Sequence, residues 1–230
     1  MKLLNSVYSF GDDVAVQLDV TRDKRINYLC GKEYGSIFVE NRYTLSENAY
    51  PYRVLRSLWG FSKYLPTTRF QFELVNPDLN MDSYAEDDIF APAHYTMDYL
   101  FASVMLSNPL FWMELQFLPE KRREELKPIM KAWKEIRYDI AHADISPIGN
   151  RPTGRSFTGF KIKGENRSYL LLFREVTEQE RFAFDIGESV DILNVVISNT
   201  EIKTEIKENR LYARFAKPRA YVLLEVKLGG

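Results

Sequence analysis

Apolar positions in the first 145 residues fall into short blocks separated by amphipathic stretches. The runs Val14–Asp19, Ser36–Glu40 and Phe70–Val75 are short and rich in Val, Ile or Phe, which predicts strands, and a longer apolar block spans Tyr99–Met113. Between them, Tyr52–Tyr64 sets Val54, Leu55, Leu58, Trp59 and Phe61 on one side of a helix and Arg53, Arg56 and Lys63 elsewhere. Pro119, followed by acids and then by Leu126, Ile129, Met130, Trp133, Ile136 and Ile140, predicts a long amphipathic helix with proline near its first turn. The carboxylates Asp19, Glu40, Glu73 and Glu114 lie 21, 33 and 41 residues apart. Those intervals average near the ~31 residues of one βα unit in a barrel, so about four units of parallel β/α array are predicted.

The rhythm changes at Ile145. Ser146 to Gly154 is dense in Pro, Gly, Ser and Asn without periodicity, which predicts an irregular junction. Beyond it, Phe157–Ile162, Tyr169–Val176, Arg181–Ile186, Ile192–Ser198, Leu211–Phe215 and Tyr221–Leu228 alternate between turn signals. Strands at roughly ten-residue spacing without helices predict an antiparallel sandwich. The expected fold is therefore α/β plus all-β: a partial TIM-type β/α barrel over 1–144 and an antiparallel β-sandwich over 145–230.

Composition narrows the function more by exclusion than by assignment. Hydrophobic residues make up 45% of 230, enough for a sizeable core, and a net charge of −1 offers no field to draw nucleic acid or an anionic membrane. A single cysteine, Cys30, excludes a disulfide framework or a thiolate cluster, and His94 and His142 are too few for a histidine-rich metal site. No metal or cofactor is expected. The segment Gly31-Lys32-Glu33-Tyr34-Gly35 lacks the ending of a phosphate loop. The first residues do not read as a signal peptide, and no apolar run approaches the ~18 residues of a membrane span, so a soluble chain is expected. Lys127, Lys131, Lys134 and Arg137 read as a solvated helix face, and His142 as a cation suited to the helix C-terminus.

Catalytic groups of a βα array gather at the C-terminal ends of its strands, where this sequence places Asp19, Glu40 and Glu73 among apolar neighbours. Desolvation there raises a carboxyl pKa towards that of a general acid. The structural alternative is pairing with Arg22, Arg42 or Arg69. Acid, amide, guanidinium and phenol follow one another in Glu40-Asn41-Arg42-Tyr43, a set able to bind a polyhydroxylated ligand. Tyr43, Trp59 and Trp112 offer rings on which sugar CH faces could stack, although Trp59 and Trp112 sit in apolar stretches that equally suit a core.

The segments Gln17 to Thr21, Gly31 to Thr44, Tyr50-Pro51-Tyr52, Leu55 to Trp59 and Pro109 to Glu114, followed by a long helix and the Pro147-Ile148-Gly149 turn, resemble the second half of the catalytic domain of clan D, α-galactosidase-like glycoside hydrolases. The resemblance implies a TIM barrel followed by an antiparallel domain, and retaining hydrolysis by an Asp nucleophile on strand four with an Asp acid/base after strand six. Counted back from the sandwich, the strands here would be five to eight, with the nucleophile strand upstream of Met1. Glu40-Asn41 stands where the family has its acid/base aspartate; if a strand is uncounted, Asp19 matches the nucleophile. Strand-end placement and the resemblance together make Glu40 and Asp19 the catalytic candidates, and the reading of the residues themselves makes Asn41, Arg42, Tyr43, Glu73 and Trp112 the substrate contacts. The expected partner is a carbohydrate, not nucleic acid or membrane, and the half barrel is expected to form a homo-oligomer or to need a missing N-terminal half. The alternative is a non-catalytic carbohydrate-binding or structural remnant.

Overall fold

The computed structural model describes residues 5–7, 9–11, 14, 18–19, 36–40, 49–111, 115–208 and 210–229. Four short strands, β1 (Leu18–Asp19), β2 (Ile37–Glu40), β3 (Phe70–Glu73) and β4 (Asn108–Leu110), form a sheet in chain order. Every neighbouring pair is parallel. Parallel neighbours require crossover connections, and helix α1 (Pro51–Phe61) lies in the connection from β2 to β3. Pro51 opens it, where a missing N–H costs nothing, and Val54, Leu55 and Leu58 form its buried stripe.

The apolar block Tyr99–Met113 departs from the expected strand. Most of it is not extended: helix α2 (Met97–Ala102) is followed by turns, and only Asn108–Leu110 joins the sheet. Met97 and Tyr99 to Ala102 are all buried, so the helix has no polar face to reveal its period. Pro109 is tolerated because β4 ends the sheet in its described order. Helix α3 (Glu120–His142) then follows Pro119, burying Leu126, Ile129, Ile136 and Ile140 at spacings of three, seven and four, which keep them on one stripe of the helix. Pro128 inside it is exposed.

The remaining strands are antiparallel. β5 (Asp144–Gly149), β6 (Phe157–Lys163), β7 (Ser168–Arg174), β9 (Val190–Ser198) and β12 (Ala220–Leu228) form one sheet in the order β5-β6-β7-β12-β9. β8 (Arg181–Asp185), β10 (Ile202–Lys207) and β11 (Arg210–Phe215) form a second, ordered β10-β11-β8. Two of these strands were not legible in the pattern. β5 occupies part of the expected junction, with Ile145 opposite Ile162 and Pro147 opposite Phe160; as an edge strand it can carry proline. β10 is mostly exposed, and its charged side chains are those that keep an open edge from pairing with another chain.

Period-two alternation makes the five-stranded sheet a common wall. Leu170 and Leu172 of β7 and Val222, Leu224 and Val226 of β12 pack with Phe184, Leu211, Ala213 and Phe215 of the smaller sheet. Tyr169, Leu171 and Phe173, with Tyr221 and Leu223, point the opposite way into the core that holds α1, α2, α3 and the parallel strands. The Tyr99 ring meets Phe173 edge-on at 5.6 Å. Polar ties reinforce this face: the Tyr169 hydroxyl donates to Asp139 at 2.9 Å, and Trp59 Nε1 donates to the Ile148 carbonyl at 3.3 Å. Trp59 is thus a partly buried packing residue of α1, with the Lys63 ammonium 3.9 Å from its ring centroid.

Candidate active site

Asp19, Glu40 and Glu73 are the last residues of β1, β2 and β3, three consecutive parallel strands. Asp19 is in register with Phe38, and Glu40 with Phe72 after a one-residue shift. With strands ~4.8 Å apart and ~3.3 Å of rise per residue, the Cα atoms of Asp19 and Glu40 are roughly 8 Å apart and those of Glu40 and Glu73 roughly 6 Å apart. Three carboxylate-bearing positions therefore share one edge of the sheet, the edge at which a parallel β/α array usually holds its chemistry. The side chains of Asp19 and Glu40 lie outside the described residues, as do Asn41, Arg42, Tyr43, Trp112 and Cys30.

Glu73 is described in full and is 1% exposed. Beside it, the Leu74 amide donates to the Leu110 carbonyl at 2.9 Å, continuing the ladder past the strand end, and buried Asn76 accepts the Asp78 amide at 3.1 Å in an Asx turn. A substrate contact from Glu73 requires the residues over it to part.

The connection after β3, residues 74–96, carries only short 3-10 turns, yet it is fastened from three sides. From α3, the half-buried Arg122 donates to both oxygens of Asp78 at 3.0–3.3 Å, to the Tyr95 carbonyl at 2.8 Å and to the Ala93 carbonyl at 3.2 Å. From the sandwich, Arg219 donates to the Ile89 carbonyl at 2.8 Å. From the entry to α1, the Tyr50 hydroxyl donates to Asp88 at 2.7 Å, and the Tyr84 hydroxyl bonds both the amide and the carbonyl of Ala49. Tyr50, Tyr52, Tyr84 and Phe90 form a chain of ring contacts at 5.4–5.8 Å. The entry to α1 and the connection after β3 are thus held together.

A second buried carboxylate supports this arrangement from the sandwich. Glu175, just past β7 and 1% exposed, accepts the backbone N–H groups of Thr153, Gly154 and Ser156 through one oxygen at 2.8–3.0 Å. Burial pushes its carboxyl above the ordinary range, against the lowering effect of those donors. The turn it holds places Gly154 against the Phe90 ring, with the Arg155 guanidinium 5.5 Å from the same ring centroid.

Sequence reasoning missed Arg122, Asp78, Asp88, Glu175 and Arg219. In a run such as Glu120-Lys121-Arg122-Arg123-Glu124-Glu125 the buried guanidinium looks like its exposed neighbours. Tyr50-Pro51-Tyr52, with aromatic rings flanking a helix-starting proline, was the one available signal. Lys127, Lys131, Lys134 and Arg137 are all exposed, as their spacing predicted, and His142 is the last residue of α3. Among the described residues no three His, Cys, Asp or Glu side chains are grouped as metal ligands, and no helix is long and apolar enough to cross a membrane.

No protein-family model matches the chain, and no curated protein matches it. Solved structures do. An α-amylase from H. orenii superimposes on 94% of this chain with a TM-score of 0.53 and 12% identity. The Nostoc punctiforme debranching enzyme covers 94% with a TM-score of 0.54 and 8% identity. The fold is glycoside-hydrolase-like. A GH36 α-galactosidase from Geobacillus stearothermophilus, in complex with 1-deoxygalactonojirimycin, covers 84% with a TM-score of 0.52 and 12% identity. This chain spans 54% and 52% of the first two enzymes and 26% of the third. The likeness is one of architecture, shared among enzymes named for different activities.

Proposed function

We propose that this chain is the C-terminal portion of a glycoside hydrolase, with half of a β/α barrel over 1–144 and an antiparallel sandwich over 145–230, acting on α-galactoside-like glycosides with retention. The observation that carries the reading is the alignment of Asp19, Glu40 and Glu73 at the C-terminal ends of successive parallel strands, in a fold like that of glycoside hydrolases. In this reading Glu40 protonates the departing glycosidic oxygen and later takes a proton from the attacking water. The nucleophile comes from a strand that completes the barrel, with Asp19 on the adjoining strand as the second candidate. Asn41, Arg42, Tyr43 and Trp112 contact the sugar, and Glu73 shapes the floor beneath it. Retaining chemistry needs two carboxyl groups ~5–5.5 Å apart, so activity requires that the second one be present.

The test is Glu40→Gln in the enzyme with its barrel completed, assayed on aryl α-galactosides and related aryl glycosides. Turnover should fall by ~10² or more with the folded content unchanged, the scale of lost general acid catalysis. Unaltered turnover would remove Glu40 from the role. A completed protein that binds sugars and hydrolyses none would favour a carbohydrate-binding or structural remnant.

A further inference from the structure

At the opposite end of the parallel sheet is a cavity of about 360 Å³, bounded by Thr68 before β3, Ser107 to Pro109 at the start of β4, and Trp133, Arg137 and Tyr138 on the C-terminal half of α3. Its wall is rigid. Trp133 Nε1 donates to the Met105 carbonyl at 2.9 Å, and the Trp133 ring meets Phe101 edge-on at 5.6 Å. Arg137, one turn on, sets its guanidinium 5.9 Å from the Trp133 centroid and has no ion-pair partner among the described residues. Tyr138 is 73% exposed, with its ring packed on His142 at a centroid distance of 4.2 Å. Asn108 is exposed at the cavity rim.

A largely exposed tyrosine contributes little to folding, and an unpaired guanidinium and an exposed amide contribute less. Together around a concave, mainly apolar space they have the chemistry that a sugar ring needs: aromatic faces for its CH surface and planar polar groups for its hydroxyls. The volume suits one or two rings, and the Arg137 guanidinium and Asn108 amide on the described lining can donate to sugar hydroxyls. We propose that Trp133, Arg137, Tyr138 and Asn108 form a second, non-catalytic site for a neutral oligosaccharide. The choice of ligand class rests on the glycosidase reading, but the site shares no residue with the carboxylate edge. It would hold a longer carbohydrate on the face away from the catalytic one.

The test is titration of the isotope-labelled 230-residue chain with maltoheptaose and, separately, raffinose, followed by backbone amide NMR. Amides of Ser107, Asn108 and Leu110 and of residues 137–142 should shift with at least one sugar. Tyr138→Ala and Arg137→Ala should each weaken that binding roughly tenfold, the scale of one aromatic contact or one charged hydrogen bond. Both side chains are exposed, so the variants keep the fold, which their spectra report directly. Shifts confined to the carboxylate edge, unaltered affinity in both variants, or no binding of either sugar would each overturn the second site. None of these outcomes decides the catalytic reading, which turns on hydrolysis by the completed enzyme and its Glu40→Gln variant.

Discussion

Replacing Glu175 by alanine removes one oxygen that three backbone donors share, those of Thr153, Gly154 and Ser156 at 3.0, 2.9 and 2.8 Å. A buried donor left without an acceptor costs ~1–3 kcal/mol. Thr153 is exposed and Ser156 half-buried, so water can recover part of two of these bonds, whereas Gly154 is buried and stays unsatisfied. Removal of a desolvated carboxylate offsets a further part. The net loss should be about 3 kcal/mol, which for a chain of this size lowers Tm by roughly 6–12 °C. Thermal unfolding followed by far-ultraviolet circular dichroism measures it, and amide exchange at Thr153, Gly154 and Ser156 localises it. Burial raises the folded-state pKa of Glu175 above its ordinary 4.5. Its contribution is therefore fully present below the ordinary value and declines as pH rises through the raised one. Glu175→Gln keeps an acceptor oxygen and abolishes the titration, so it should destabilise less than alanine and flatten that part of the pH profile. A loss below ~1 kcal/mol for alanine, with exchange at the three amides unchanged, would refute the view that this carboxylate holds the turn.

Arg122→Ala should loosen residues 76–96 by removing their tie to α3, with a loss of roughly 2–3 kcal/mol in urea unfolding and earlier cleavage in that segment on limited proteolysis. Gly154→Ala meets two obstacles, a backbone φ of +91° and a Cβ only 2.6 Å from Phe90 Cε1, so a loss of roughly 2–4 kcal/mol is expected in the same unfolding assay. If the parallel sheet is an open half barrel, its unpaired edge should drive association; sedimentation equilibrium at micromolar concentration should show more than the monomer mass, and a single monomeric species would argue for a closed edge.

Legibility followed the physics of each segment. β6, β7, β11 and β12 could be read within a residue or two because their apolar runs are bounded by turn formers. α3 could be read because its apolar stripe runs from Leu126 to Ile140 within a helix of 23 residues. α2 could not, since burial on all sides erases the period that separates helix from strand. β5 and β10 are edge strands, where proline and charge are tolerated and the apolar signal is weak. For the site, the strand-end placement of Asp19, Glu40 and Glu73 was visible from apolar flanks and spacing. The ties that hold the adjoining connections were not, because Arg122 meets Asp78 across 44 residues and Arg219 meets Ile89 across 130. Such pairings are decided by tertiary geometry and leave no local pattern.

The wall formed by β7 and β12 also bears on how the chain can be cut and recombined. Each of its faces belongs to a different core, so a break between α3 and β5 does not release two finished bodies. The C-terminal piece would carry Tyr169, Leu171, Phe173, Tyr221 and Leu223 into water as one apolar plate, and the N-terminal piece would lose the surface that closes α2. The sandwich is therefore poorly suited to act as an exchangeable module, and the two parts should melt in one cooperative event and be inherited as a unit.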